Sequence, residues 1–328
     1  MKNKFYHSIA AAVTMFALFT LAGCKKYTEV SPASQYTIAE AFGNISNATT
    51  ALVGVYDEMQ GDNGYGIRIN MYYPYDSDEG IVSGNIDNGR RGVGRYQLLL
   101  TNTEILNPFN QLYRGIEKAN LCIEQIPLMP QYTSGSTTDQ ATLKRLYGEA
   151  LTLRAQYYFQ LMLNWGDVPA PMIPSYKQTN LFIPKTNRDS VFDMMLADLA
   201  TAKGFVPWRT DAGARSERIT KGAVMALRAR MAMFRGGYAL RSNGQMERRA
   251  DYLTYYNIAK TECEELMARR DQHTLNPNYE DIWRKVTSFT YDPQGEILFE
   301  VGAGGGNGNS DSRMGNYDGP NLSNASRY

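Results

Sequence analysis

Five tyrosines, Tyr65, Tyr72, Tyr73, Tyr75 and Tyr96, fall in one irregular stretch together with Asp76, Asn85, Asn88, Arg90 and Arg91. A sugar ring has apolar C–H faces and a hydroxyl edge, so aromatic platforms rimmed by carboxylate, amide and guanidinium groups are what would hold one. The plainer alternative is that the rings pack the loop onto a scaffold. Covalent chemistry has less to work with. Of the 2 histidines, His7 lies in a leader-like N-terminus, and His273, after Arg269-Arg270-Asp271, reads as a solvated loop residue. There is no serine elbow, no His-Glu-x-x-His and no Cys-x-x-Cys. Asp76, Asp78 and Glu79 supply carboxylates, but neighbours in sequence rarely flank a bond from opposite faces, as glycoside hydrolysis requires. The chemistry expected is binding, with no catalytic residues.

Two further patterns are weaker. Asn307-x-Asn309-x-Asp311, with Asp318 beyond, alternates oxygen donors as a calcium loop does, yet Ser312 stands where the sharp turn needs glycine, and no metal or cofactor is expected. Gly92-Val93-Gly94 beside Arg90, Arg91 and Arg95 lacks the strand, turn and helix that make a phosphate cradle, and reads as loop.

Lys+Arg 34 against Asp+Glu 33 gives a net charge of +1, which excludes a broad nucleic-acid footprint. At the N-terminus Lys2 and Lys4 precede an apolar run from about Ile9 to Leu21, then Leu21-Ala22-Gly23-Cys24. This is a secretory leader over 1–23, too short to span a membrane, and Cys24 directly after Leu-Ala-Gly resembles a bacterial lipobox. Acylation of Cys24 would anchor the mature chain in a membrane. Cys122 and Cys263 then remain, and both are expected to pack as small hydrophobes in helices.

The elements that position these residues are helical. Residues 24–36 form a tether, and Thr37 with Glu40 makes a capping box at the start of a helical domain over 37–328. Amphipathic helices are expected over Ile45–Met59, stopped by Gly61 to Gly64, and over Phe109–Ile126. One ends at Trp165, one runs Val191–Lys203 with Asp189 or Ser190 as cap, one runs from near Thr220 to Phe234, and one Tyr252–Arg269. Glu296 to Val301 reads as a short strand or extended buried segment. The helix ending at Trp165 carries two apolar stripes, Leu143, Leu146, Ala150, Leu153, Tyr157, Leu161 and Tyr147, Leu151, Ala155, Tyr158, Met162, Trp165. Such a helix needs neighbours on two sides. Its Gly148-x4-Leu153-Arg154-Ala155 recurs as Gly222-x4-Leu227-Arg228-Ala229, an echo expected of stacked helix pairs.

Within that helix and just after it, Arg154-Ala155, Tyr157-Tyr158-Phe159 and Trp165-Gly166-Asp167-Val168-Pro169 resemble the signature of the SusD/RagB family, surface nutrient-binding lipoproteins of Bacteroidetes. The resemblance implies a mainly α fold, a tetratricopeptide-like helical repeat scaffold with long irregular ligand-binding loops. It also implies an outer-membrane lipoprotein that captures an oligosaccharide and passes it to a SusC-like TonB-dependent transporter. The RagB branch of the family implies a peptide ligand instead, and an oligosaccharide-cleaving enzyme is the third reading. Family members run longer, so a C-terminal part beyond Tyr328 is expected.

Overall fold

The computed structural model describes residues 36–70, 78, 82–213, 216–288, 290, 292–303 and 312. Tyr72, Tyr73, Tyr75, Asp76 and Cys24 lie outside the described residues, as do Glu79 and the Asn307 to Asp311 pattern. The chain divides into two compact units, 1–41 and 42–328. In the first, the expected capping box is present: Glu40 N donates to Thr37 Oγ1 at 3.2 Å and Thr37 N to Glu40 Oε2 at 2.8 Å.

The second unit is built on helices α1 (Ile45–Asp57), α2 (Thr103–Gln125), α3 (Thr137–Trp165), α4 (Arg188–Phe205), α5 (Lys221–Gly236), α6 (Tyr252–Met267) and α7 (Tyr279–Thr287). Two strand pairs of two residues each, Val168–Pro169 with Lys185–Thr186 and Ala239–Leu240 with Met246–Glu247, pin the connections between helices. The fold is mainly α, and α3 is its axis. A Ser136/Asp139 capping box starts it, and Gly166, with φ 72°, lets the chain leave it. Both apolar stripes of α3 are covered. Tyr157 packs under Gly115 of α2 and reaches the Val55 carbonyl of α1, while Gly148 sits against Val206 and Phe205 at the end of α4. Successive helices α3, α4, α5 and α6 each pack on the next.

The internal echo is physical. Arg154 of α3 ion-pairs with Asp198 of α4 at 2.7 Å, and its repeat counterpart Arg228 of α5 pairs with Glu262 of α6. Likewise Gly148 admits α4, and Gly222 admits the ring of His273. A small residue and an arginine at matched places thus let each helix pair nest with the next, the arrangement of a tetratricopeptide-like stack.

Several boundaries differ from expectation. Helix α2 starts six residues early, ahead of Pro108, because Asn102 caps it: Glu104 N donates to Asn102 Oδ1 at 2.9 Å and Leu106 N to the Asn102 carbonyl at 2.9 Å. The cap of α4 is Asn187, which accepts from Asp189 N at 2.9 Å. Helix α7 adds to the expected helices: Asn278 caps it, accepting from Glu280 N at 3.1 Å, with Glu280 and Asp281 in its first turn and Arg284 and Lys285 in its last. Its apolar residues Tyr279, Trp283 and Val286 are exposed, so burial contributes little to defining it.

Two side chains contradict the sequence expectation outright. His273 is buried, 9% exposed, because the turn after α6 folds its ring beneath Gly222 at the start of α5. Cys263 is exposed while Cys122 is buried, and both are free thiols. Position 263 falls on the outer face of α6, whose buried residues are Ala259 and Glu262.

Candidate ligand-binding site

The tyrosine-rich loop grows from a glycine turn that closes α1. Gly61 has φ 73°, and a Cβ at Gly64 would stand 2.3 Å from the Met59 carbonyl oxygen, so only glycine fits there. This turn brings Tyr65 N to the Met59 carbonyl at 2.8 Å and leaves the ring half-buried, its hydroxyl accepting from Gln156 Nε2 of α3. Asn70 folds back onto the Tyr65 carbonyl. Tyr65 is thereby fixed to the scaffold with its ring lining a cleft.

Arg90 and Arg91, expected at the rim, hold the loop itself together with Arg68. Arg68 bridges Asn63 at 2.7 Å and Glu104 at 3.1 Å, and Arg90 reaches the other oxygen of Glu104 at 3.2 Å. Arg91 pairs with Asp87 at 2.8 Å and donates to the Ser83 carbonyl at 2.9 Å. Asn85 is exposed. Between them Arg90 to Gly94 forms one short helix, and a Cβ at Gly92 would meet the Asp87 carbonyl oxygen at 2.7 Å. Gly92 serves close packing, so the Gly92-Val93-Gly94 run is a helix and not open loop.

That short helix ends on Tyr96. Gln97 N donates to the Gly92 carbonyl at 2.9 Å and Tyr96 N to Val93 at 3.1 Å, the paired bonds of a Schellman ending, whose left-handed position normally carries glycine. Here it carries Tyr96 at φ 55°, with the residue 75% exposed. The following Leu98, Leu99 and Leu100 are exposed as well.

Two adjoining clefts lie beside this loop. One of about 280 Å³ is lined by Gln60, Gly61, Tyr65, Gly66, Asn70, Val301, Gly302, Ala303 and Ser312. The other, about 550 Å³, has Leu52, Val53, Tyr56, Met59 and Phe299 as apolar lining and Thr49, Gln60, Glu217, Arg218 and Glu300 as polar groups. Gln60 belongs to both, and its amide donates to the Gly302 carbonyl at 3.0 Å. Beneath the larger cleft the Tyr56 hydroxyl donates to Glu149 Oε2 at 2.8 Å and accepts from Ile219 N at 3.1 Å. Arg145 and Arg218 complete the fully buried Glu149, at 2.7 and 3.0 Å. Burial and the Glu149 carboxylate push the Tyr56 hydroxyl well above the ordinary tyrosine range, so it stays a donor at any physiological pH. These clefts offer aromatic faces, amides and carbonyls.

Of the sequence candidates, the structure brings Tyr65 to a cleft, exposes Asn85 and Tyr96, and ties Arg90 and Arg91 into the loop. Sequence reasoning missed Gln60, Asn70 and the 299–303 segment. The last lies more than 200 residues from Tyr65 and carried no motif.

A SusD-like family model, described as "Starch-binding associating with outer membrane", matches residues 26–233. The chain belongs to the SusD-like family. A SusD homolog from Bacteroides thetaiotaomicron has the same fold at a TM-score of 0.69 with 23% identity, covering 84% of this chain and 51% of that one. A laminarin binding SusD-like protein aligns at a TM-score of 0.56 with 22% identity, over 74% of this chain and 49% of that one. In sequence, SusD-like protein P38 of Formosa agariphila is 26% identical over 209 residues, 61% of this chain and 38% of the relative. This SusD-like chain thus spans about half the length of these solved relatives and less of the curated one. The signature Arg154 and Tyr157 are buried in the helix stack, and Trp165 packs edge-on to Phe109 at 5.4 Å. The residues that mark the family are scaffold.

Proposed function

We propose that this SusD-like protein is an outer-membrane lipoprotein, anchored through Cys24, that binds an oligosaccharide and delivers it to a SusC-like TonB-dependent transporter. The observation that carries the reading is the match of a starch-binding, outer-membrane-associating family model to residues 26–233. The laminarin-binding neighbour, a glycan binder by its own description, supports a carbohydrate ligand. No helix among the described residues is long and apolar enough to cross a membrane, which accords with a lipid anchor.

The binding surface we assign is the loop after α1 and the clefts beside it. Tyr65 and the exposed Tyr96 supply stacking faces, Gln60, Asn70 and Asn85 supply amides, and Tyr72, Tyr73, Tyr75 and Asp76, outside the described residues, fall between them in the sequence. Arg90 and Arg91 contribute by holding it in shape. Affinity comes from stacking and a few hydrogen bonds, without covalent chemistry and without nucleic acid as partner. A glycan array and a peptide library probed with the mature protein test this. Oligosaccharide binding that weakens in Tyr65→Ala and Tyr96→Ala is the expected result. Binding of peptides alone overturns the glycan reading, and turnover of a bound oligosaccharide overturns the binding-only reading. Cys24→Ser is expected to release the protein from the outer-membrane fraction.

A further inference from the structure

His273 is the one histidine of the described residues, and its surroundings are unusual for that residue type. The ring is buried beneath Gly222, the second residue of α5, where a Cβ would lie 2.2 Å from Nε2. Nδ1 lies 2.7 Å from the Gly295 carbonyl oxygen, which can only accept, so Nδ1 carries the proton. Nε2 is buried without a hydrogen-bond partner. The Trp208 ring covers another side at 6.3 Å between centroids. Gly295 has φ 70°, and a Cβ there would stand 2.7 Å from the Gln272 carbonyl oxygen and 2.9 Å from Arg209 Cδ, so the backbone at this contact is tightly seated.

This contact fastens one segment. Residues 292–303 run without regular secondary structure from the His273 contact to the clefts, where Phe299, Glu300, Val301 and Gly302 form one wall. Besides the imidazole, the start of the segment is held by Thr274 N on the Gln294 carbonyl at 3.1 Å, Arg209 on the Asp292 carbonyl at 2.6 Å and Asn276 N on Glu296 Oε2 at 2.5 Å, and its far end by Ser216 on Glu300 and Gln60 on the Gly302 carbonyl. The imidazole is the one member of this group that changes charge near neutrality.

We infer that His273 is a pH-sensitive latch: neutral, it holds residues 292–303 against the start of α5, and protonated, it releases them and loosens the wall of the clefts. A proton on Nε2 would create a buried N–H with no acceptor, aimed at the positive end of α5. The charged groups around the ring divide. Arg209, and Lys221 and Arg269 over the face of Trp208, oppose the new charge, while the Gly295 carbonyl that Nδ1 donates to, Asp271 and Asp292 favour it. Asp271 is already engaged by Arg269 at 2.6 Å, and Asp292 by the amides of Gln294 and Ile297. Burial is the largest influence and holds the imidazole below its ordinary value. The folded protein therefore binds this proton less readily than the unfolded chain. The latch is fully engaged above the ordinary histidine range and weakens as pH falls through it toward the depressed folded value.

The latch itself does not depend on the ligand being a glycan; only its effect on the clefts rests on the proposed function. Hydrogen–deuterium exchange of the full chain, read on peptides covering 292–303 and corrected for intrinsic rates, tests it at pH 7.5 and 5.0. The wild type is expected to lose protection about tenfold on acidification, the scale of one buried donor left without an acceptor. His273→Gln keeps a donor for Gly295 and cannot charge, so its protection is expected to match at the two pH values. Equal protection of the wild type at both pH values overturns the latch, as does an equal loss in His273→Gln. Should that variant not fold, the imidazole of the wild type decides by NMR: with His7 as the only other histidine, a His273 midpoint at or above the ordinary value overturns it.

Discussion

Whether the helices nest through their small residues is tested by one substitution made twice. Gly54 in α1 and Gly148 in α3 both lie inside helices, where alanine is favoured over glycine by about 1 kcal/mol. At Gly54 nothing lies within 4 Å of a new Cβ, so Gly54→Ala is expected to stabilise by about 0.5 to 1 kcal/mol. At Gly148 the Cβ would stand 2.8 Å from Val206 Cγ2, 3.2 Å from Phe205 Cβ and 3.3 Å from the Ala202 carbonyl oxygen. Val206 is buried, and a β-branched side chain has one preferred rotamer to retreat into. Helices α3 and α4 must therefore move apart, at about 2 to 3 kcal/mol of overpacking. Less the helix-propensity gain, Gly148→Ala is expected to destabilise by about 1 to 2 kcal/mol, and the two variants to differ by about 2 to 3 kcal/mol. At about 2 to 4 °C per kcal/mol for a domain of this size, their melting temperatures separate by about 4 to 12 °C. Urea denaturation should move the midpoint in opposite directions with the slope unchanged. A Gly148→Ala protein as stable as Gly54→Ala would refute close nesting of α3 on α4.

Arg154→Ala leaves the half-buried Asp198 without its guanidinium and is expected to cost about 3 kcal/mol at neutral pH, the lower end for an ion pair broken in a protein interior. Burial already holds the Asp198 carboxyl above the ordinary carboxylate range, against the pull of Arg154. The folded state thus takes up this proton at higher pH than the unfolded chain, and stability is lost as pH rises through that window. Without Arg154 the window widens, so chemical denaturation should show a larger deficit at pH 7 than at pH 5. Tyr96→Gly relieves a left-handed tyrosine at about 1 to 2 kcal/mol, partly offset by glycine's freedom in the unfolded chain, for a net gain of about 0.5 to 1 kcal/mol. If the ring contacts ligand, glycan affinity falls in the same variant, and a more stable protein with unchanged affinity removes Tyr96 from the site. A thiol reagent followed by peptide mapping is expected to modify Cys263 in the native protein. Cys122, whose thiol is pushed up to about 12 by burial, should stay unmodified until denaturant is added.

Much of the scaffold was legible because helices announce themselves locally. The two stripes of α3 and the Thr37/Glu40 cap depend on residues three or four apart, and the echo of Gly148 at Gly222 repeats one short local pattern; the periodicity is the packing. Legibility ended where burial is decided by a distant segment. His273 read as a solvated loop residue because nothing within ten positions shows that Gly222 leaves room for its ring. Cys263 read as buried because the sequence of α6 does not reveal that its neighbours cover the Ala259 and Glu262 side alone. Arg90 and Arg91 have the composition of a binding rim, and only the fold shows Glu104 and Asp87 waiting for them.

By itself the sequence determined a helical stack, the family to which it belongs and a loop rich in rings and amides, since each is written in short-range spacing and side-chain type. The tertiary structure alone decided that, of the two described rings, Tyr65 meets a cleft and Tyr96 stands exposed. A cleft is made by the approach of surfaces remote in the chain, here Gln60 to Gly302 and Tyr65 to Gln156, and that approach is set by how the helices stack between them.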